Sequence, residues 1–480
     1  MRPCVASGML LVAAASLLSC KTAAVSPPSA EQVGAGAAGA ARAKSQLDPE
    51  IVELVSRVSE ERLFGMVQKL VAFGTRNSCA DLRAPGTGVT AARDFLQGEL
   101  RAIGGMEVVL HPFANSKCTP PVRSNNVIGF LRGRDPTRLI IIGGHYDSLA
   151  FSGRPESRDA ERLGNSPGPA PGANDSGSQT ALVLEAARVM AGRNYEATVA
   201  FVAFAGEEQG LVGSKALAEE YPRYFPNARL EAVLNCDIVG GDSSVNDEVA
   251  LHQFRIYAPG APRETGRSAD GTNDSTSPSR GLMSFVGYWG SRYVPSMVAV
   301  PRLREDRIRR GGDHSSFIAV GRPAVRVIET QENVAHQHSV DDIFAHLAPG
   351  YLARMTAVVV GSAAALAAAP AAPTSFAAAG NTDRIRFSWA EAKGAHHYAV
   401  AARPVGETYY RKRIDVAAEK TAFEGSATDF GILTVEPIYV SVAAVDSAGH
   451  ESLFAYPEFR CDEKRCAAPA GALEVTAVVQ

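Results

Sequence analysis

The chain has 480 residues, more than one hydrophobic core ordinarily organises, so two domains are expected. A hydrophobic share of 46% with 21% charged residues describes a soluble globular protein. The net charge of −3 leaves no global basic field to recruit nucleic acid.

At the N-terminus Arg2 precedes an apolar run, Met9 to Leu18, that is too short to span a bilayer. The run ends in Leu17-Leu18-Ser19-Cys20, which resembles a bacterial lipoprotein signal and implies Cys20 as the lipidated first residue of the mature chain. An ordinary secretory signal cleaved nearby is the alternative. Either exports the protein, and membrane contact is expected only through the anchor at Cys20. No later stretch reaches the roughly 18 apolar residues of a transmembrane helix; residues 356 to 369 come nearest, weakened by Ala and Gly. Residues 1–20 read as the signal, and residues 21–45, rich in Ala, Gly, Ser and Pro, as a flexible tether. Export permits disulfides: Cys79 with Cys118, and Cys461 with Cys466, while Cys236 is left as a buried thiol.

Residues 48 to 72 carry a helical period (Ile51, Leu54, Val55, Val58, Leu63, Met66, Leu70), and residues 90 to 103 a second. Residues 106 to 111 and 126 to 131 read as strands. Residues 139 to 142 form an unbroken apolar run, expected of a strand covered on both faces. A helix over 176 to 191, a strand over 198 to 204, a helix from 213 to 220, strands at 232 to 236 and 324 to 328 and a helix over 347 to 366 follow. This alternation predicts an α/β fold over residues 46–369, a mostly parallel (mixed) sheet with helices on both faces. An Ala/Pro-rich joint at 363 to 375 leads into residues 370–480, where strands at 384 to 389, 397 to 402 and 438 to 445 predict a C-terminal all-β sandwich. Trp389, Tyr398 and Tyr439 are spaced as its core aromatics. Its VAAVDSAGHES segment, 442 to 452, resembles the last hairpin of a fibronectin type III domain, which implies a module that binds protein or carbohydrate, or acts as a spacer, and performs no chemistry.

Five segments carry the chemistry: GGHYDS (143 to 148), GANDSGS (172 to 178), AGEEQGLVGS (205 to 214), NCDIVGG (235 to 241) and HQHSVDD (336 to 342). His145, Glu207-Glu208 and Asp237 sit just beyond the carboxyl ends of predicted strands, where open α/β sheets bind ligands. Alone, His145-x-Asp147 is a hydrogen-bonded turn, Asp175 a helix cap, Glu207-Glu208 a surface pair and Asp237 the partner of an arginine. Together they offer two His, two Asp and one Glu as ligands and one Glu as base, an inventory suited to two hydrolytic zinc ions sharing a carboxylate. His338 is the last ligand, with His336 as the alternative. Asp313 and His314 in GGDHSSF are expected beside the pocket.

In this order the segments resemble the di-zinc exopeptidases that include bacterial leucine aminopeptidases and plasma glutamate carboxypeptidase, over residues 48 to 368. The resemblance implies one zinc on His145, Asp175 and Asp237, a second on Asp175, Glu208 and His338, Glu207 as general base, and Asp147 orienting His145. Manganese or cobalt suits the same ligands. The family's usual Tyr-His-Thr is here Gln337-His338-Ser339, which keeps His336 in play. The implied protein is an exported zinc exopeptidase, foremost an aminopeptidase acting on peptide or protein N-termini, in a bacterial periplasm or on the cell surface. Two alternatives remain: a glutaminyl cyclase, whose relatives use one zinc, and a receptor ectodomain without catalysis. The insert from 149 to 171, rich in Pro, Gly and Arg, is expected at the pocket rim.

Overall fold

The computed structural model describes residues 47–80, 86–152, 162, 168–241, 250–259, 277–306, 310–433 and 436–468. The expected signal and tether lie outside the described residues. The rest belongs to one compact unit.

A central sheet contains β1 (Glu107–Asn115), β2 (Val122–Leu131), β3 (Asp135–His145), β4 (Ala197–Phe204), β5 (Arg229–Cys236), β6 (Gln253–Tyr257), β7 (Val298–Arg302) and β8 (Ala324–Glu329), in the order β1-β2-β4-β3-β5-β8-β6-β7. The core run β4-β3-β5-β8 is parallel. Antiparallel β1 and β2 flank it on one side, and β6 pairs antiparallel with β8 on the other, so the sheet is mixed. The α-helices are α1 (Pro49–Ser56), α2 (Glu60–Val71), α3 (Gly88–Arg101), α4 (Gln179–Met190), α5 (Val212–Tyr224), α6 (Pro278–Tyr293), α7 (His314–Ala319) and α8 (Tyr351–Ala368).

Side chains of a strand alternate between faces, and β3 shows why its apolar run is continuous. Ile140 and Ile142 pack with α1 to α4, α6 and α8, while Leu139 and Ile141 pack with α5 and α7. Both layers exclude water, so neither set of positions is polar. Helix α8 is long and apolar enough to cross a membrane, but it is buried within the core.

The single period expected over 48 to 72 is two helices. Ser59 breaks it and caps α2, its Oγ accepting from the Arg62 N–H at 3.3 Å. Strands β6 and β7 and helices α6 and α7 have no counterpart in the sequence reading. The strands are only five residues long, and α6 mixes glycines and aromatics that blur its period; its start is marked by Ser277, which caps the Arg280 N–H at 3.1 Å, and by Pro278.

The C-terminal region holds β9 (Ala377–Asn381), β10 (Arg384–Ser388), β11 (His397–Pro404), β12 (Lys412–Ala417), β13 (Ala422–Gly425), β14 (Ile438–Val445), β15 (Phe459–Cys461) and β16 (Cys466–Ala467). They form a sheet β13-β10-β9 and a sheet β12-β11-β14-β15-β16 that share one apolar core. Trp389 and Tyr398 meet in it edge to face, ring centres 5.2 Å apart. Tyr439 does not join them. It is buried on the other face of β14, under the Arg403 guanidinium at 4.4 Å, because Ile438, Val440 and Val442 take the core side. Ser284 Oγ donates to Thr408 O at 2.8 Å, and His450 Nε2 lies 2.8 Å from Asp48 Oδ2, tying this region to the α/β layers. Disulfides join Cys79 to Cys118 and Cys461 to Cys466, and Cys236 is a buried thiol.

Candidate metal centre

Strands β3, β4 and β5 end side by side, and His145, Glu207-Glu208 and Asp237 emerge from those ends. Asp175 arrives on the turn before α4. Gly172 permits that turn: its φ is +51°, and a Cβ there would lie 2.6 Å from Asp175 O and from Ser148 Cβ. The Asp175–Ser176 peptide is cis. His338 comes from the loop between β8 and α8.

These side chains converge. Asp175 Oδ1 lies 3.2 Å from His145 Nε2, and Asp175 Oδ2 lies 3.2 Å from His338 Nε2. Asp237 Oδ1 is 3.5 Å from His145 Nε2, and Glu208 Oε2 is 3.1 Å from His338 Nε2. Two groups of three donors thus share Asp175, each with its donor atoms within 4.8 Å of one another: His145, Asp175, Asp237 and Asp175, Glu208, His338. Glu207 closes a third group with His145 and Glu208, and it is mostly buried with a small part open to the pocket.

The donor set fits divalent zinc. Imidazole and carboxylate are its ordinary nitrogen and oxygen ligands, and the carboxylates are buried, which is costly without a cation or a hydrogen bond. Among the described residues, Glu208 Oε1 is buried with no hydrogen-bond partner, and buried Asp175 Oδ1 has only the His145 imidazole nearby, at 3.2 Å. Burial opposes charge on His145, yet Asp147, Asp175 and Asp237 hold its pKa well above the usual value; burial likewise opposes charge on His338, which Glu208 and Asp175 raise. The acids here demand positive charge. Burial also lifts the Glu207 carboxyl well above the carboxylate range, with Glu208, Asp237 and Asp313 adding to the shift against His145.

Asp147 faces the His145 ring and also holds the loop of the two glutamates. His145 Nδ1 lies 3.1 Å from the Asp147 backbone carbonyl and 3.7 Å from its carboxylate. The carboxylate also accepts the N–H groups of Glu207 at 3.2 Å and Glu208 at 3.3 Å, fixing the loop that carries both glutamates. Asp342 does the same for the Asp175 turn, accepting from Asn174 N at 2.8 Å and Asp175 N at 2.9 Å; burial pushes its carboxyl up to about 7. His336 stacks on His346 with ring centres 4.0 Å apart and joins none of the donor groups. Asp313 is buried beneath the centre with its carboxyl pushed up to about 7 by burial, and His314 Nε2 lies 2.9 Å from Glu305 O. Phe151, at the start of the long insert, donates its N–H to His338 O at 2.8 Å and sets its ring edge to face with that imidazole. Most of the insert lies outside the described residues.

Three supports carry no signal in the sequence. Arg76 is fully buried and donates to Tyr146 O (2.8 Å), Leu70 O (3.1 Å), Pro171 O (2.8 Å) and Gly172 O (2.8 Å). Arg326 pairs with Asp237 Oδ2 at 2.9 Å and with Asp306, so Asp237 faces an arginine and an imidazole with different oxygens. Glu329 accepts from Asn174 Nδ2 at 3.1 Å and from Gly241 N at 2.6 Å. Backbone strain also gathers here: Leu211 (φ 64°), Ile238 (φ 56°) and His338 (φ 54°) are left-handed, which is rare for a β-branched residue such as isoleucine.

Comparison with known proteins agrees with this arrangement. Residues 126–363 match the model of peptidase family M28. A "probable zinc metalloprotease" of Pyricularia oryzae is 33% identical over 81% of this chain and 82% of its own. A second, from Leptosphaeria maculans, is 31% identical over 77% and 89%. Among solved structures, LapA of Legionella superposes with a TM-score of 0.50 at 17% identity, over 70% of this chain and 81% of that one, which is a likeness of fold. The chain belongs to peptidase family M28 and is a zinc metalloprotease of that family.

Proposed function

We propose that the chain is an exported di-zinc aminopeptidase that removes residues from peptide or protein N-termini. The observation that carries this reading is Asp175, whose two oxygens each lie 3.2 Å from a different imidazole. His145, Asp175 and Asp237 would hold one zinc, and Asp175, Glu208 and His338 the other. Zinc there supplies Lewis acidity, lowering the pKa of a water and polarising the scissile carbonyl. Glu207 takes the proton of the attacking water and returns it to the leaving amine. Asp147 and Asp342 keep the glutamates and Asp175 in place through backbone N–H groups. A glutaminyl cyclase works with one zinc, and two donor groups rather than one favour the peptidase.

Export rests on the leader alone: a signal at residues 1–20 with a lipid anchor at Cys20 would put the enzyme in a bacterial envelope, whereas the relatives named above are fungal. The C-terminal sandwich, in this reading fibronectin type III-like, binds protein or carbohydrate or acts as a spacer. The test is a panel of free and N-acetylated peptides on the purified, zinc-loaded chain, with and without chelator. Chelator-sensitive cleavage of free peptides only is expected. Release of C-terminal residues from acetylated peptides would make the enzyme a carboxypeptidase.

A further inference from the structure

The pocket above the donor cluster has a volume of about 490 Å³, and its rim is cationic. Lys117, Arg162, Lys215 and Arg310 line it from four separate segments: the turn after β1, the long insert, helix α5 and the loop before α7. Among the described residues, Lys117, Arg162 and Lys215 have no carboxylate within ion-pair distance, and the nearest to Arg310 is Glu332 at 4.0 Å. Lys215 Nζ donates to Gly210 O at 2.9 Å, and Arg310 to Gln337 Oε1 at 3.2 Å. None of the four pairs with the carboxylates of the donor cluster beneath them. Leu211 is the one aliphatic side chain among the described lining residues, so the wall offers little to a large apolar side chain.

We propose that this rim selects peptides presenting a carboxylate beside the scissile bond, either an acidic side chain or the free C-terminal carboxylate of a short peptide. The inference rests on the peptidase reading above. Cations converging on a pocket mouth attract anions from solution and favour a bound carboxylate over its neutral isostere. The cations sit at the rim, where salt screens them, so the preference weakens at high ionic strength.

The test uses the zinc-loaded full chain and two peptide pairs: alanyl-alanine against alanyl-alaninamide, and alanyl-glutamic acid α-amide against alanyl-glutamine α-amide. The first pair reads the terminal carboxylate, the second a side-chain one. A kcat/KM advantage of about tenfold for the charged member of at least one pair is expected, the scale of two partly exposed charge pairs. In Lys215→Ala/Arg310→Ala the ratio should fall toward one, mainly through KM, and Lys215→Glu/Arg310→Glu should reverse the order. Equal rates within both pairs, or a preference that survives both double variants, overturns the inference. Equilibrium binding of the same four peptides to the Glu207→Gln variant reads the preference without turnover. Tighter binding of charged members by a chain that cleaves none would leave the inference standing and sink the peptidase reading; cleavage without charge preference would do the opposite.

Discussion

Arg76 offers the sharpest test of how the centre is held. Its guanidinium reaches four carbonyls on three segments: the end of α2, the residue after His145 and the turn before Asp175. Burial pushes its pKa down to about 10, with Asp342, Asp147 and Asp175 pulling the other way, so it stays charged at neutral pH. Arg76→Lys keeps the charge but replaces a planar fork with one ammonium, which cannot reach carbonyls spread around Nε, Nη1 and Nη2. Losing two of the four bonds, at about 1.5 kcal/mol each for a charged donor, gives a loss of about 3 kcal/mol. That is a large part of the 5–15 kcal/mol typical of a folded domain, taken as about that range here. Because the bonded carbonyls flank His145 and Asp175, zinc affinity should fall about tenfold as well. Urea unfolding in chelator reads the first effect, and zinc competition against a chromogenic chelator reads the second. A change below about 0.5 kcal/mol together with unaltered zinc affinity would refute the idea that Arg76 clamps the site.

Glu207→Gln should bind zinc as the parent does and lose hydrolysis by about two orders of magnitude or more, because an amide cannot accept the proton; metal analysis beside a turnover assay checks both. Cys79→Ala/Cys118→Ala removes a cross-link spanning 39 residues and should lower the unfolding free energy by about 4 kcal/mol, measured by denaturant titration without reductant. His450 lies 2.8 Å from both Asp446 and Asp48; burial opposes its charge, but these carboxylates raise its pKa. A raised folded pKa contributes stability that is complete below the unfolded value of about 6.5 and is lost as pH rises through the folded one, so His450→Gln should cost most near pH 6 and progressively less above it, read as unfolding free energy against pH. Cutting the chain after Ala369 should destabilise the α/β layers, because Ser284 loses the Thr408 carbonyl, Tyr288 the Arg413 guanidinium and Asp48 the His450 imidazole; thermal unfolding of the truncated chain checks this.

Much of the sheet was legible because β3, β4 and β5 carry apolar runs that only two-sided burial explains. The donor positions were legible because they follow those strands in fixed segments. What stayed hidden depends on contacts between distant residues. Arg76 lies in a polar loop, GTRNSC, and nothing local marks it as buried; its partners are up to 96 residues away. Arg326 and Glu329 sit on β8 among valines and isoleucine, where a charged residue reads as an interruption until Asp237 and Asn174 are seen opposite. Asp147 was placed correctly beside His145, but its carboxylate also holds a loop 60 residues on. Tyr439 illustrates the period-two rule from the other side: one position's shift moved it out of the sandwich core.

The central claim, a pair of metal sites joined at Asp175, is tested most directly by counting zinc in the purified chain and in single ligand variants. The account predicts two ions per chain, falling to one in His338→Ala and to one in His145→Ala, with Asp175→Ala losing affinity at both sites. A single ion in the unaltered chain, or two ions persisting in both histidine variants, would contradict it.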